Sequence, residues 1–195
     1  MGQAFQWRGA EESSDEQGEV GAGGLGMSAI QLARAFGAVE VYVVDIDESR
    51  LALAQTFGAI PINNKQSDGV AQIKQMTRGK GADVALELIG LPETMRQAVE
   101  SVGYMGRVVI VGLSNQPFLV DSYSQLLGKE PAITGTRDHP ARELPTLLEL
   151  IRRRILDLSR VVTHTIPLDA DAVNATLDRM ERFDAGLVRT VVCPS

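Results

Sequence analysis

Apolar residues along this chain fall into short runs that alternate with stretches of helical spacing, from Gly21 to about Arg154. Behind a glycine cluster, Leu25, Ala29, Ile30, Leu32, Ala33 and Phe36 recur on one face of a predicted helix over 25–36, and Gly37 supplies its stop. The run Val39 to Asp45 predicts a strand. Asp47 then opens a helix that carries Leu51, Leu53, Ala54 and Phe57 and ends at Gly58. The alternation continues through a strand at 60–62, a helix at 70–76, a strand at 83–89, a helix at 92–99 and a strand at 107–112. Val108-Val109-Ile110-Val111 is apolar on both faces, the pattern of a strand covered by helices on either side. A strand at 132–136 and a helix from near Arg142 bearing Leu144, Leu147, Leu148, Ile151 and Ile155 complete the series.

Strand alternating with helix predicts an α/β fold, a doubly wound parallel sheet over residues 20–158. Beyond it, a strand at 161–166, a helix at 170–183 capped by Asp169 and a strand at 188–193 form a short β-α-β appendage, residues 159–195. Its apolar surface is too small for a domain, so it is expected to pack on something else. Residues 1–19 differ again. The stretch Glu11 to Glu19 is acidic and free of aliphatic side chains, which predicts a disordered or unrelated leader. A sheet of this type needs its first, central strand directly before the glycines, and there only Val20 qualifies, so that strand is expected to be poorly formed.

Composition narrows the function. With 195 residues, 44% of them hydrophobic, the chain can bury a core, and no run of about 18 apolar residues exists to cross a bilayer. The polar N-terminus lacks the charged-then-apolar order of a signal peptide, so a cytoplasmic location is expected. A net charge of −6 with scattered basic residues argues against a nucleic-acid partner. Arg152-Arg153-Arg154 reads better as the solvated end of a helix, cations near its negative pole, than as an anion site. Cys193 is the single cysteine, and with His139 and His164 far apart in sequence no metal site is expected.

The glycines carry the chemistry. In Gly21-Ala22-Gly23-Gly24-Leu25-Gly26, the first glycine of G-x-G-x-x-G permits a tight turn, the second admits a pyrophosphate to the backbone, and the third lets helix and strand pack closely. This is a Rossmann fingerprint. Asp45 ends the following strand about twenty residues on, where a carboxylate accepts from ribose hydroxyls; the alternative is that it caps the next helix. A carboxylate there repels a 2′-phosphate, and residue 46 is Ile rather than Arg, so NAD is expected in preference to NADP. Arg50 either stacks on the adenine side or stays solvated. No catalytic residue is evident: the fifth residues of Tyr-x-x-x-Lys fail at Tyr42, Tyr104 and Tyr123, where Ile46, Val108 and Leu127 stand, and His139 and His164 read as structural.

The glycine loop, with Ala29-Ile30-Gln31-Leu32-Ala33, Val43-Val44-Asp45, Glu87-Leu88-Ile89-Gly90, Gly106 to Gly112 and Arg189-Thr190-Val191-Val192, resembles the C-terminal portion of medium-chain zinc-dependent alcohol dehydrogenases over roughly residues 20–195. The resemblance implies that Gly23, Leu25 and Gly26, in the loop shared with Gly21 and Gly24, meet the pyrophosphate. It places Asp45 at the adenosine ribose, Ile89 and Gly90 on the adenosine side, and Val111, Gly112 and Leu113 along the nicotinamide, while Arg189 reaches the pyrophosphate. The implied reaction is hydride transfer from an alcohol to NAD, with zinc polarising the oxygen. The family's zinc ligands lie in an N-terminal substrate domain not found in this sequence, so the chain alone is expected to be inactive. By the same resemblance, residues 161–195 would pack on that separate catalytic domain, and the strand near Ile133 would pair with its twin in a homodimer. The alternative is a non-enzymatic nucleotide-binding module, or a subunit docking on a separate substrate domain.

Overall fold

Aspartates and glycines punctuate the chain where helices start and stop, and the computed structural model, which describes residues 16–20, 22–137, 141–182 and 186–194, places its elements accordingly. The first part runs β1 (Glu16–Val20), α1 (Gly24–Ala35), β2 (Glu40–Asp45), α2 (Glu48–Thr56), β3 (Ile60–Asn63), α3 (Gly69–Met76), β4 (Ala82–Glu87), α4 (Pro92–Ser101), β5 (Val102–Ile110) and β6 (Ala132–Gly135). The second holds α5 (Leu144–Arg152), β7 (His164–Pro167), α6 (Ala170–Glu181) and β8 (Thr190–Cys193). Asp47, Asp68 and Asp169 each accept backbone N–H groups at the start of α2, α3 and α6. Gly37 and Gly58 take the left-handed conformation that ends α1 and α2.

Six strands form one parallel sheet in the order β3-β2-β1-β4-β5-β6. The order reverses between β1 and β4, so a crevice opens beyond the carboxyl ends of the central strands. The expectation for the first strand is corrected here: Glu16–Val20 is the central strand, in register with β2 from Glu16↔Glu40 to Val20↔Val44 and with β4 from Gln17↔Val84 to Val20↔Glu87. Its composition misleads because a central parallel strand is held by its backbone. The inner edges of β2 and β4 both need N–H and C=O partners, and five residues of any side chain supply them. Residues 1–15 lie outside the described residues.

Side-chain alternation in β2 seeds a core on each face of the sheet. Val41 and Val43 pack with Met27, Ile30, Leu51 and Ala54 under α1 and α2, while Tyr42 and Val44 pack with Ile62 and Ile73 on the face of α3. A third cluster, Ala85, Ala98, Val99, Val102 and Val108, seats α4. β5 starts at Val102, earlier than the predicted Arg107, because its register to β4 jumps between Ala82↔Val102 and Val84↔Arg107 and leaves Gly103 to Gly106 looped within the strand. A π-helical turn at Ser122–Leu127, with Asp121 accepting the Ser124 N–H, has no counterpart in the expectations.

The terminal segment pairs with itself and touches the sheet domain at few points. β7 and β8 form a separate parallel pair. Val161 enters the core under α1, and Gln31 of α1 donates to the Asp157 carbonyl at 3.2 Å and accepts its N–H at 2.6 Å. Arg160 lies over the Phe57 ring at 4.7 Å. By contrast α5 buries no residue, and Leu144, Leu148, Ile151 and Ile155 remain exposed. All four residues of β6 are exposed as well. No described helix is long and apolar enough to cross a membrane.

Candidate functional site

The glycine turn leaves the start of α1 open. Gly23 is the N-cap, extended, and offers no side chain to the first-turn N–H groups, and no acidic residue occupies that turn. Among the described residues, chain neighbours aside, no heavy atom lies within 4 Å of where a Cβ on Gly23 would stand, so the backbone there can be approached closely. At Gly24 a Cβ would fall 3.1 Å from Nε and Nη2 of Arg189. Arg189, which the resemblance directs to a pyrophosphate, has its guanidinium against the first turn of α1, more than 160 residues away in sequence. Thr163 fixes the backbone that carries it, accepting the Val188 N–H at 3.0 Å and the Arg189 N–H at 3.3 Å. A helix start with free N–H groups and an adjacent guanidinium concentrates positive potential suited to a phosphate.

Asp45 closes the other side. Its buried carboxylate accepts the Ala22 N–H at 2.7 Å through Oδ2, and the Ile46 and Asp47 N–H groups at 2.7 and 2.9 Å through Oδ1. The cap of α2 is Asp47 rather than Asp45: it accepts the Ser49 N–H at 2.8 Å and the Arg50 N–H at 3.3 Å. Burial works to raise the Asp47 carboxyl, but the hydrogen bonds from Ser49 and Arg50 and the Arg50 charge outweigh it and hold it below the usual carboxylate value. Arg50 Nε lies 3.7 Å from Asp47 Oδ2 and is buried without a hydrogen-bond partner among the described residues.

The loops after β4 and β5 complete the crevice. Gly90 has φ of +91°, and a Cβ on it would lie 2.3 Å from the Leu113 carbonyl oxygen; one on Gly112 would lie 2.1 Å from the Gly90 nitrogen. Two backbones cross there with no room for a side chain. Leu25, Ile89 and Leu113 stay exposed beside them, apolar side chains left at the sheet's carboxyl edge. Sequence reading missed Glu87, which is fully buried at the end of β4 and bonds both loops. An acidic residue closing an otherwise apolar strand was the available signal.

Gly21, Asp138 and His139 lie outside the described residues. His164 Nδ1 sits 3.1 Å from Thr163 Oγ1, and Cys193 is free and exposed. Glu149 pairs with Arg152 and Arg153 at 2.7 and 2.6 Å, matching the solvated helix end expected of that basic cluster.

The sequence pattern of the zinc-binding dehydrogenases matches residues 24–153. The chain belongs to this family. It is 33% identical over 180 residues to a sorbitol dehydrogenase of Bacillus subtilis, a match spanning 90% of this chain and 49% of that protein. An L-threonine 3-dehydrogenase of Saccharopolyspora erythraea is 32% identical over 149 residues, 76% of this chain and 43% of the relative. Among solved structures, the 2R,3R-butanediol dehydrogenase of Bacillus subtilis superposes with a TM-score of 0.84 at 27% identity, covering 95% of this chain and 52% of its own. This zinc-binding dehydrogenase chain thus spans about half the length of the relatives it matches. Among its described residues no three His, Cys, Asp or Glu side chains are grouped to hold a metal, so the zinc of the family's name has no fitting ligand set there.

Proposed function

We propose that this chain is the NAD-binding portion of an alcohol-dehydrogenase-like oxidoreductase. The observation that carries the reading is the meeting of the open α1 start, the Arg189 guanidinium and the Asp45 carboxylate at one crevice. In this reading the first-turn N–H groups and Arg189 take the pyrophosphate, and the spare lone pair of Asp45 accepts from the adenosine ribose while repelling a 2′-phosphate. Arg50 flanks the adenine. Ile89 and Gly90 wall the adenosine side, and Val111, Gly112 and Leu113 wall the nicotinamide. NAD, when bound, accepts the hydride from the alcohol carbon. No step is assigned to zinc on this chain.

The chain's role in that reaction is to bind and orient the cofactor, and purified chain is expected to leave simple alcohols unoxidised. Residues 16–158 form the cofactor domain in this reading and residues 159–195 a docking segment. The exposed apolar side chains of α5, together with Leu177 and Met180 of α6, favour docking on a separate substrate-binding portion. The exposed edge of β6 around Ile133 is the proposed homodimer contact, which sedimentation would register.

Calorimetric titration separates the readings. Saturable NADH binding with at least about tenfold weaker NADPH binding is the expected result. Equal affinity for the two would remove Asp45 from the ribose site, and absence of both would remove the NAD reading.

A further inference from the structure

Glu87 is a carboxyl with no solvent exposure, at the end of β4 directly across from Val20, the residue that leads into the glycine turn. Its Oε1 accepts the Ile89 N–H at 2.9 Å, the Gly90 N–H at 2.8 Å and the Thr94 hydroxyl at 2.8 Å. Its backbone carbonyl accepts the Val111 N–H at 2.8 Å and the Gly112 N–H at 3.0 Å. Its Oε2 has no hydrogen-bond partner among the described residues. Among the described residues only one oxygen of this buried carboxyl is bonded, whereas an apolar side chain would fill the place with no polar group to satisfy, so core packing alone does not account for it. What the carboxyl adds is control of position. Side chain and main chain of one residue hold the two loops that cross at Gly90 and Gly112, where no side chain intervenes to set their spacing.

We infer that Glu87 is a positioning residue for the cofactor: it fixes the Ile89–Gly90 and Val111–Leu113 loops relative to each other and to the glycine turn. The inference rests on the NAD reading above. A ligand that reaches across both loops depends on their spacing, whereas one that meets the glycine turn, Asp45 and the Ile89–Gly90 loop alone does not. NADH is the first kind of ligand and 5′-AMP largely the second.

The test titrates NADH and 5′-AMP into wild-type chain, Glu87→Ala and Glu87→Gln. The alanine variant should lose NADH affinity by at least about tenfold more than it loses 5′-AMP affinity. The glutamine variant keeps a carbonyl acceptor for Ile89, Gly90 and Thr94, and should restore NADH binding to within about threefold of wild type. If Glu87→Ala does not fold, Thr94→Val carries the test by removing one donor to Oε1, with NADH weakened about threefold more than 5′-AMP. Equal losses for both ligands, no loss, or a glutamine variant as weak as alanine would each overturn the inference while leaving wild-type NADH binding intact. Wild-type chain that binds neither ligand would overturn it together with the NAD reading.

Discussion

Replacing Asp45 with alanine removes a buried hydrogen-bond acceptor at the edge of the crevice. Its carboxylate serves three backbone donors, of which the Ala22 N–H belongs to a residue with no solvent exposure. A buried donor left unmet costs about 1–3 kcal/mol, whereas the part-buried Ile46 and Asp47 N–H groups recover much of their bonding from water. Adding a modest loss for those two, Asp45→Ala should destabilise the chain by roughly 2–4 kcal/mol, a large share of the about 5–15 kcal/mol typical of a folded domain. Urea unfolding followed by circular dichroism would read this as a lower midpoint with an unchanged slope. A loss below about 0.5 kcal/mol would refute the reasoning, because it would mean that the Ala22 N–H is met equally well without the carboxylate. The same bonds make Asp45→Ala an ambiguous probe of the ribose: the variant loosens the glycine turn whether or not Asp45 touches the cofactor.

Arg189 gives a cleaner probe, since among the described residues its guanidinium lies against the first turn of α1 without a hydrogen bond or ion pair to it. Arg189→Ala should lower NADH affinity by about ten- to a hundredfold with little change in unfolding midpoint, and unchanged affinity in calorimetry would place the phosphates elsewhere. Gly90→Ala puts a Cβ 2.3 Å from the Leu113 carbonyl oxygen at φ of +91°, so a loss of at least about 2 kcal/mol is expected in denaturant unfolding, and neutrality would mean that the two loops do not cross as described. Asp47→Ala removes the α2 cap and should cost about 1 kcal/mol at neutral pH. Because the folded Asp47 carboxyl is held below its usual value, its contribution is complete above the unfolded value and is lost as pH falls through the folded one. The gap between wild type and Asp47→Ala should therefore shrink as pH falls through and below the usual carboxylate range, and a constant gap in pH-dependent unfolding would contradict the cap assignment.

What the sequence disclosed and what it concealed follow from where each element's energy comes from. β2 was legible because Val41 and Val43 on one face and Tyr42 and Val44 on the other are all buried, which imprints a continuous apolar run. The starts of α2 and α6 were legible because their caps are aspartate side chains. β1 was concealed, since its pairing with β2 and β4 runs through backbone groups that Glu16, Gln17 and Gly18 possess as fully as valine does. Register within β5 was hidden for a related reason: Gly103 to Gly106 precede the strand expected from Arg107 but lie inside the observed one. At the site, the glycine turn and Asp45 were visible by motif and Arg189 by resemblance. Thr163 was not, because it holds backbone groups of Val188 and Arg189 far along the chain, which no local pattern encodes, and Glu87 offered only the signal of an acidic residue closing an apolar strand.

The central claim is that the glycine turn, the loops after β4 and β5, and Arg189 form one cofactor crevice. Its most direct test is an NADH titration of isotope-labelled chain followed by amide NMR. The account predicts saturable shifts at Ala22 to Gly26, Ile89, Gly90 and Val111 to Leu113, together with Arg189. Shifts confined to other surfaces, or none at millimolar NADH, would contradict it.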